Sequence, residues 1–421
     1  MHHFEYRGDV LHCENVALPD IVSDVGSPVY VYSSATLRRH VKVLADAFEA
    51  QPCLIAYSVK ANSNLAVLAT LASMGAGADV VSEGEMRRAL KVGIPASKIV
   101  FSGVGKSEAE INAALEAGIH QFNVESVPEM HRLSRLAEAR GVKAPLALRV
   151  NPHVEAGGHA NISTGGAEHK FGIAWHEARD VYDEAVSLPG IDVVGVDVHI
   201  GSQITELGPM RAAFTKVVEL VRDLRSRSVP IRRIDLGGGL GIPYKEGETP
   251  ATPAEYAVMI REVLGDLDVE LILEPGRMIA GNAGVFVSRV EYIKERDGRK
   301  FAILDAGMND LMRPALYQAV HDLKPVVRDT TRTMQTYDLV GPICESTDRF
   351  AKDYSAAELR ENDLVAFMSA GAYGAVMSNQ YNSRPLCAEV LVDGDQFAVV
   401  RRVPTFEDMV ANERVPEWLA R

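Results

Sequence analysis

One lysine stands where an apolar segment of the chain ends. Lys60 closes the run that begins at Leu54, and the sequence Asn62-Ser63-Asn64 then interrupts it. A helix is predicted next, from Leu65 to Met74, so the order is strand, lysine and capped helix. Such an order places an amine at the carboxyl end of a strand. Because a lysine at a strand end usually extends its side chain into solvent, Lys60 alone does not indicate chemistry.

Two later turns change the interpretation of this lysine. Gly237-Gly238-Gly239 and Glu274-Pro275-Gly276-Arg277 each follow a predicted strand. Glycines let backbone N–H groups approach a phosphate closely, although a tight turn explains a glycine triplet equally well. Glu274 alone would be an ordinary solvated acid, but a carboxylate can also keep a pyridine nitrogen protonated, and a protonated ring stabilises a carbanion. Lysine, glycine turns and carboxylate together indicate a pyridoxal phosphate site.

A histidine and a serine lie at the carboxyl end of a further predicted strand. His199 ends this strand and precedes Ser202 in the sequence His-Ile-Gly-Ser-Gln. A lone histidine on a strand is more often structural than catalytic. At the same end of a sheet as Lys60, however, the imidazole could lie against the cofactor ring, and Ser202 could donate a hydrogen bond to phosphate.

The segments that must position these residues alternate between strand and helix. Serine-x-x-glutamate capping boxes follow three of the strands, at Ser82/Glu85, Ser107/Glu110 and Ser126/Glu129. Eight strands are predicted, at Leu54–Val59, Ala78–Val81, Ile99–Phe101, Gln121–Val124, Leu146–Val150, Val193–Ile200, Arg233–Leu236 and Leu271–Leu273.

Eight strands alternating with helices have the size and rhythm of a (β/α)₈ barrel. Catalytic groups of such barrels lie at the carboxyl ends of the strands, and phosphate is commonly bound after strands seven and eight, which are followed here by the two turns. An open doubly wound sheet is the alternative, and the pattern alone does not exclude it. The longest polar loop, His153–His169, follows strand five on the face where a barrel keeps its chemistry.

Past Gly281 the pattern changes to strands only, which predicts an all-β second domain. The strands are expected at Val285–Ile293, Phe301–Leu304, Tyr337–Val340, Asp363–Met368, Glu389–Val392 and Gln396–Val400. Asp297-Gly298 and Asp393-Gly394 are hairpin signals that require positive φ. At the start of the chain, residues 1–26 indicate short strand pieces around Gly8-Asp9, followed by a β-rich run, Val29-Tyr30-Val31-Tyr32.

Composition excludes several classes of function. The 421 residues carry a formal net charge of −13 and no dense basic stretch, which argues against nucleic acid and against anionic membrane surfaces as partners. Four cysteines without CxxC spacing indicate neither a zinc site nor a disulfide framework, so no metal is expected. The N-terminal residues do not resemble a signal peptide, and no apolar run has the length of a membrane span. We expect a cytoplasmic enzyme.

Motifs throughout the chain resemble those of a known family, the diaminopimelate decarboxylases, which are fold-type III, alanine-racemase-like pyridoxal phosphate enzymes. The match covers nearly the whole chain, and several motifs, HIGSQ and GPICES above all, resemble decarboxylases of basic amino acids more than other barrels. In chain order the motifs are YSVKANSN, FSGVGK, FNVES, LRVNP, STG, KFGI, HIGSQ, DLGGGLG, EPGR, MNDLMRPALY, GPICES and AGAYG.

The resemblance implies a fold and a cofactor. It implies an α/β barrel at residues 28–281 that binds pyridoxal 5′-phosphate, and a β-rich domain formed by residues 1–27 and 282–421. Lys60 would carry the cofactor covalently and His199 would stack on its ring. The residues expected to hold phosphate and ring nitrogen are Ser202, Gly238, Gly239, Glu274, Gly276, Arg277 and Tyr373.

The resemblance also implies a reaction, the decarboxylation of meso-2,6-diaminopimelate to L-lysine. Cys344 would protonate the carbanion left by CO₂, and the catalytic residues would then be Lys60, His199 and Cys344. The distal end of the substrate would be bound by Arg277, Arg313, Tyr317, Glu345 and Tyr373. Cys344 and Glu345 would reach the active site of a partner subunit, which implies a homodimer with shared active sites.

Three other interpretations compete with this reaction. An ornithine or arginine decarboxylase would have no second substrate carboxylate for Arg313 to bind, and a racemase would place an arginine, not Glu274, against the ring nitrogen. A non-catalytic regulator would be expected to lose Lys60 or Cys344, and both are present. For single residues, Cys344 could instead be a buried structural thiol, and Arg313 could pair with Asp310.

Overall fold

The chain folds into two compact units. The computed structural model describes residues 2–154, 170–245 and 247–419. One unit comprises Ser34–Asn282, and the other comprises Met1–Ser33 together with Ala283–Arg421. From residue 155 onward, the polar loop predicted at His153–His169 lies outside the described residues.

Eight parallel strands of the first unit form a closed barrel. Each strand pairs with the next in the chain, the fourth pairs with the fifth through Phe122 and Leu146, and the eighth returns to the first through Leu271 and Cys53. This closure confirms the predicted (β/α)₈ barrel and rules out the open sheet. The barrel strands are Cys53–Ser58, Gly77–Val80, Ile99–Phe101, Gln121–Val124, Ala144–Asn151, Ile191–Asp197, Arg233–Asp235 and Glu270–Leu273, with a short extra strand, Ile173–Ala174, beside the fifth.

Helices alternate with the barrel strands. They span Ser34–Ala47, Leu65–Ser73, Glu83–Lys91, Glu108–Ala117, Val127–Ala139, Ala178–Ser187, Leu207–Ser226, Pro253–Leu264 and Arg277–Ala280. The longest of them, Leu207–Ser226, has 20 residues. No helix in the described part of the chain is both long and apolar enough to cross a membrane.

Only one of the three predicted capping boxes is reciprocal. Ser107 accepts from the Glu110 backbone, and the Glu110 side chain accepts from the Ser107 backbone. Ser82 and Ser126 also cap their helices. The glutamates of those two helices instead bind the backbone one residue earlier, because Val81 N donates to Glu85 and Glu125 N donates to Glu129. The helix starts were therefore correct, and two of the side-chain partners were not.

The second unit is β-rich. Its small sheet contains Phe4–Arg7, Val10–Cys13 and Val16–Ala17. The large sheet has the order Arg349–Ala357, Met334–Val340, Arg299–Leu304, Gly284–Arg296, Val29–Ser33, Ala388–Asp393 and Gln396–Arg401. Leu364–Phe367 pairs with both Gly284–Arg296 and Leu323–Pro325. The short helices of this unit are Leu18–Val25, Arg313–Tyr317 and Phe406–Val410. An apolar core that includes Leu11, Ile21, Val31, Val287 and Val390 holds it together.

Four features of this unit differ from the sequence prediction. Residues Leu18–Val25 form a helix rather than a strand piece. Arg349–Ala357 and Leu323–Pro325 are strands that the pattern missed. The strand Val29–Ser33 hydrogen-bonds to Gly284–Arg296 and Ala388–Asp393, so the boundary falls after Ser33 rather than before Pro28. In the last hairpin Asp393 pairs with Gln396, which moves the turn by one residue to Gly394-Asp395.

Candidate functional site

The amine of Lys60 is held by a buried carboxylate. Lys60 lies in the 3-10 helix Val59–Ala61, directly after the first barrel strand. Its Nζ is 2.8 Å from Asp79 Oδ2, and Ser58 Oγ donates to the same oxygen at 2.6 Å. Burial raises the pKa of Asp79, but the Lys60 charge and hydrogen bonds from Lys60, Ser58 and Ser102 outweigh it and lower the pKa below its usual value. An ionised Asp79 therefore orients the amine.

Glu274 follows the last barrel strand and points its carboxyl group into a polar interior. Its Oε1 accepts hydrogen bonds from Ser102 Oγ at 3.1 Å and from Asn123 Nδ2 at 3.2 Å. The backbone carbonyl of the same residue accepts from Ser58 Oγ at 3.3 Å. The turn that carries Glu274 is thus joined to the strand that carries Lys60.

Two aspartates lie beside this glutamate. Carboxylate oxygens of Asp197, Asp235 and Glu274 all lie within 4.8 Å of one another, and all three residues are buried. Burial, followed by the charges of the neighbouring aspartates, raises the pKa of Glu274 well above its ordinary value. Burial likewise raises the pKa of Asp235 to about 7, against the hydrogen bonds from Asn123 and the Gly237 backbone. Like charges this close oppose ionisation, so the group favours a cationic neighbour.

The glycine turn after strand seven packs tightly against two other turns. A Cβ atom added at Gly238 would lie 2.2 Å from the Glu274 carbonyl oxygen, and one at Gly239 would lie 2.6 Å from the Gly201 carbonyl oxygen. Gly239 also has a φ of +110°, which L side chains rarely adopt. Both positions require glycine because a Cβ atom there would collide with the carbonyl oxygen of a neighbouring turn.

His199 is a neutral imidazole of defined tautomer. Gly238 N donates to His199 Nδ1 at 3.2 Å, so the ring proton lies on Nε2. Burial, followed by the positive charges of Arg149 and Lys60, lowers the pKa of His199 to about 3. A neutral ring fixed by the glycine turn presents a flat surface at the end of strand six.

Ser202 and Arg277 form a pair at the same end of the barrel. Arg277 Nη2 donates to Ser202 Oγ at 3.0 Å, which leaves the serine O–H able to donate elsewhere. Gly276 caps the four-residue helix Arg277–Ala280. Arg277 is buried, and its guanidinium also donates to the Tyr244 hydroxyl.

These residues fit a pyridoxal phosphate. An amine held by one carboxylate, a second carboxyl group whose surroundings favour a cation, and a backbone turn without side chains correspond to the aldehyde, ring nitrogen and phosphate of that molecule. The structure brings Lys60, His199, Glu274 and the glycine turn to the carboxyl ends of the barrel strands, as a catalytic (β/α)₈ barrel requires.

In the β-rich unit, Asp310 fixes the segment that carries Arg313. The Asp310 carboxylate accepts from Gly307 N at 2.9 Å and from Cys387 Sγ at 3.0 Å, while its carbonyl accepts from Tyr30 OH at 2.7 Å. Arg313 starts the helix Arg313–Tyr317, and its Nη1 is 3.1 Å from His321 Nε2. The contact shown for this guanidinium is a histidine, whereas the alternative interpretation expected Asp310.

A buried aspartate joins that segment to the loop that contains Cys344. Asp348 accepts from Met308 N at 2.6 Å and from Ile343 N at 2.7 Å. The Cys344 backbone N–H donates to Asn382 Oδ1 at 3.2 Å. Cys344 is exposed in the single chain, whereas the alternative interpretation expected a buried structural thiol.

The remaining predicted site residues lie in the same unit. Glu345 is exposed, and hydrogen bonds from Thr347 and then Tyr381 lower the pKa of its carboxyl group. Tyr317 ends the helix that Arg313 starts. Tyr373 adopts a left-handed backbone conformation, with a φ of 56°.

Sequence reasoning missed the polar residues inside the barrel. Asp79, Asp197 and Asp235 each interrupt an apolar strand, and Asn123 donates to both Asp235 and Glu274. A charged residue within a buried strand is costly unless it is paired, and this signal could have identified them. His321 gave no such signal, because its partner is brought to it by a turn of the chain.

Comparison with known proteins gives a consistent result. Residues 34–281 match the family model described as "Pyridoxal-dependent decarboxylase, pyridoxal binding domain". The chain is 51% identical to a diaminopimelate decarboxylase of Pseudomonas fluorescens, over 97% of this chain and 98% of the relative.

Solved structures of similar proteins share the fold over almost the whole chain. Diaminopimelate decarboxylase from M. jannaschii, in complex with L-lysine, has a TM-score of 0.95 and 34% identity and covers 100% of both chains. The enzyme from Helicobacter pylori, also in complex with L-lysine, has a TM-score of 0.91 and 39% identity, over 94% of this chain and 98% of that one.

Proposed function

Because the chain belongs to the pyridoxal-dependent decarboxylases, and among them to the diaminopimelate decarboxylases, we propose that it converts meso-2,6-diaminopimelate to L-lysine and CO₂. The observation that carries the proposal is the Lys60 amine, held 2.8 Å from Asp79 at the carboxyl end of the first barrel strand. The reaction is the last step of lysine biosynthesis by the diaminopimelate route.

The barrel residues would hold the cofactor. Lys60 would provide the amine for covalent attachment, and Glu274 would pair with the ring nitrogen. The residues that would bind the phosphate are Ser202, Gly238, Gly239, Gly276, Arg277 and Tyr373. When bound, pyridoxal phosphate supplies an electron sink for the carbanion formed as CO₂ leaves.

The residues around the cofactor would act by orientation and charge. Asp79 would hold the Lys60 amine in its orientation. Neutral His199 would pack against the ring without adding a charge. Glu274, whose buried carboxyl group has acidic neighbours, would gain a cationic partner in a protonated ring nitrogen.

The substrate would be selected at the end away from the chemistry. Arg313, with Arg277, Tyr317 and Tyr373, binds the distal carboxylate, because the planar guanidinium fork matches a carboxylate. Glu345 accepts from the distal ammonium group. Cys344 delivers a proton to the carbon that has lost CO₂.

We further propose a cytoplasmic homodimer in which Cys344 and Glu345 serve the active site of the partner subunit. The exposure of both residues in the single chain supports this arrangement. The four cysteines are all free thiols in the structure, which suits a reducing compartment. The net charge of −13 suits a small-molecule enzyme that binds no nucleic acid.

A CO₂-release assay tests the function directly. The purified protein, supplied with pyridoxal phosphate, is given meso-diaminopimelate, L-ornithine or L-arginine at equal concentration. We expect rapid release from meso-diaminopimelate alone. Faster release from ornithine or arginine would assign the chain to another specificity, and no release from any of the three would support the non-catalytic regulator.

A further inference from the structure

A buried histidine holds the arginine proposed to bind the distal carboxylate. His321 and Arg313 are 5% and 6% exposed, and Arg313 Nη1 is 3.1 Å from His321 Nε2. The other ring nitrogen, Nδ1, is 2.9 Å from the Met368 carbonyl oxygen. The side chains of Arg313 and His321 thus connect the start of a short helix to the backbone beyond the strand Leu364–Phe367.

The hydrogen-bond roles fix the charge of this histidine. A carbonyl oxygen only accepts, so Nδ1 must carry the ring proton. A guanidinium only donates, so Nε2 must offer its lone pair to Arg313. Both conditions hold only for a neutral imidazole. Arg313 therefore gains a fixed orientation without losing its net positive charge.

The backbone around His321 makes it a rigid support. Met368 N donates to the Asp322 carbonyl oxygen at 2.8 Å, so residues 321 and 322 are joined to Met368 in both directions. Leu323 then enters the sheet opposite Phe367. On the other side, the amides of Gln318 and Ala319 bond to the Arg313 carbonyl oxygen.

We propose that His321 is a positioning residue that fixes the plane of the Arg313 guanidinium and thereby sets selectivity for a substrate with a distal carboxylate. An aspartate or glutamate at this position would also orient the arginine, but its charge would compete with the substrate carboxylate. A neutral acceptor adds no charge that competes with the substrate carboxylate. The inference rests on the proposed role of Arg313 in the proposed reaction.

Two ligands isolate the distal carboxylate. The carbon that loses CO₂ becomes the CH₂–NH₃⁺ end of the product, so L-lysine keeps the distal amine and carboxylate. 1,5-Diaminopentane is the same molecule without that carboxylate. The ratio of their inhibition constants, measured from initial rates of lysine formation from meso-diaminopimelate, therefore reports carboxylate recognition before any weak turnover of L-lysine matters.

The test compares three substitutions of His321 in the cofactor-loaded protein. His321→Leu should lower the preference for L-lysine over 1,5-diaminopentane by about 10-fold or more, since it removes a hydrogen bond to a charged group. His321→Gln, which keeps a neutral acceptor, should lower this preference less than His321→Leu does. His321→Glu should lower the preference most, because its carboxylate would neutralise the charge of Arg313.

The controls separate this inference from the proposed function. Tyr354→Phe removes a 3.0 Å hydrogen bond to the Leu323 carbonyl near His321, and should leave the ratio unchanged. Unfolding curves and bound cofactor establish that each variant is folded. If Arg313→Lys lowers the ratio and His321→Leu does not, the role of His321 is wrong. If neither His321→Leu nor Arg313→Lys changes the ratio, the proposed recognition of the distal carboxylate by Arg313 is itself wrong.

Discussion

At the level of single residues, Lys60 offers the most direct test. Its side chain is partly exposed and its amine is paired with the fully buried Asp79, so the amine is held in one orientation. We expect the protein to be yellow when loaded with pyridoxal phosphate. Borohydride reduction followed by peptide mapping should fix the cofactor to the peptide that contains Lys60. Label on a different lysine, or a colourless protein after reconstitution, would contradict the assignment.

Arg313 is expected to distinguish substrates by their distal carboxylate. Arg313→Lys keeps the charge and loses the planar fork, so kcat/KM for meso-diaminopimelate should fall by about 10- to 100-fold, as for a hydrogen bond to a charged group. Weak decarboxylation of L-lysine, which lacks a second carboxylate, should change little. Equal losses on both substrates, measured by CO₂ release, would show that Arg313 shapes the site in general.

Asp197 is expected to make the stability of the cofactor-free protein depend on pH. Burial, then the Asp235 charge, raises its pKa well above the ordinary value. Between the unfolded pKa, near 4, and the folded one, the folded state binds more protons, so the unfolding free energy falls as pH rises. Asp197→Asn removes this pH-dependent loss. The gain in unfolding free energy from the substitution should therefore be larger at pH 8 than at pH 4.5, by about 1 kcal/mol or more.

Thermal unfolding of the cofactor-free protein at the two pH values measures this effect. The exposed Asp268→Asn is the matched control, and it should show no such difference. A gain from Asp197→Asn that is the same at both pH values would mean that Asp197 is already ionised in the folded protein.

At the level of structural elements, the glycine turn after strand seven tolerates no side chain. Gly238→Ala forces the turn away from the Glu274 carbonyl, 2.2 Å from the added carbon. We expect cofactor affinity to fall by about 10-fold or more, since phosphate contacts depend on backbone position. At Gly105 an added carbon meets no atom within 4 Å, so Gly105→Ala is the control. Absorbance titration with pyridoxal phosphate compares the two variants.

Elements with strong local signals were predictable from sequence, and those without them were not. Two barrel strands, Ile99–Phe101 and Gln121–Val124, have the predicted bounds because apolar runs and serine caps define them. The strand Arg349–Ala357 was missed because it lies at the edge of its sheet, where only one of its nine residues, Phe350, is buried. For Leu18–Val25, the proline in its first turn was an unused helix signal.

The candidate site was predictable only in part. Lys60, His199 and Glu274 end strands, where a barrel keeps its chemistry, so their approximate positions follow from the alternation of elements. The residues that support them do not. Asp79 meets Lys60, and His321 meets Arg313, only after distant or turned segments come together. Such contacts depend on closure of the fold rather than on spacing in the sequence.

At the level of the whole molecule, the proposed shared active site predicts complementation between two inactive variants. Lys60→Ala lacks the cofactor attachment, and Cys344→Ala lacks the proton donor. After subunit exchange of equal amounts, half of the dimers are mixed, and one of their two sites is intact, so about a quarter of wild-type activity should return. No recovery despite demonstrated exchange would place Cys344 and Lys60 in the site of a single subunit.

The strand Val29–Ser33 has a consequence for how the protein is made. It pairs with Gly284–Arg296 and Ala388–Asp393, which leave the ribosome long after it. At about 5–20 residues per second, roughly 20–70 s separate Ser33 from Ala388. During that time the whole barrel can fold, while the apolar Val-Tyr-Val-Tyr segment still lacks at least one of its two neighbouring strands. The nascent chain therefore exposes an apolar, aggregation-prone segment at residues 29–33. A chaperone that binds such segments would raise the yield of folded protein.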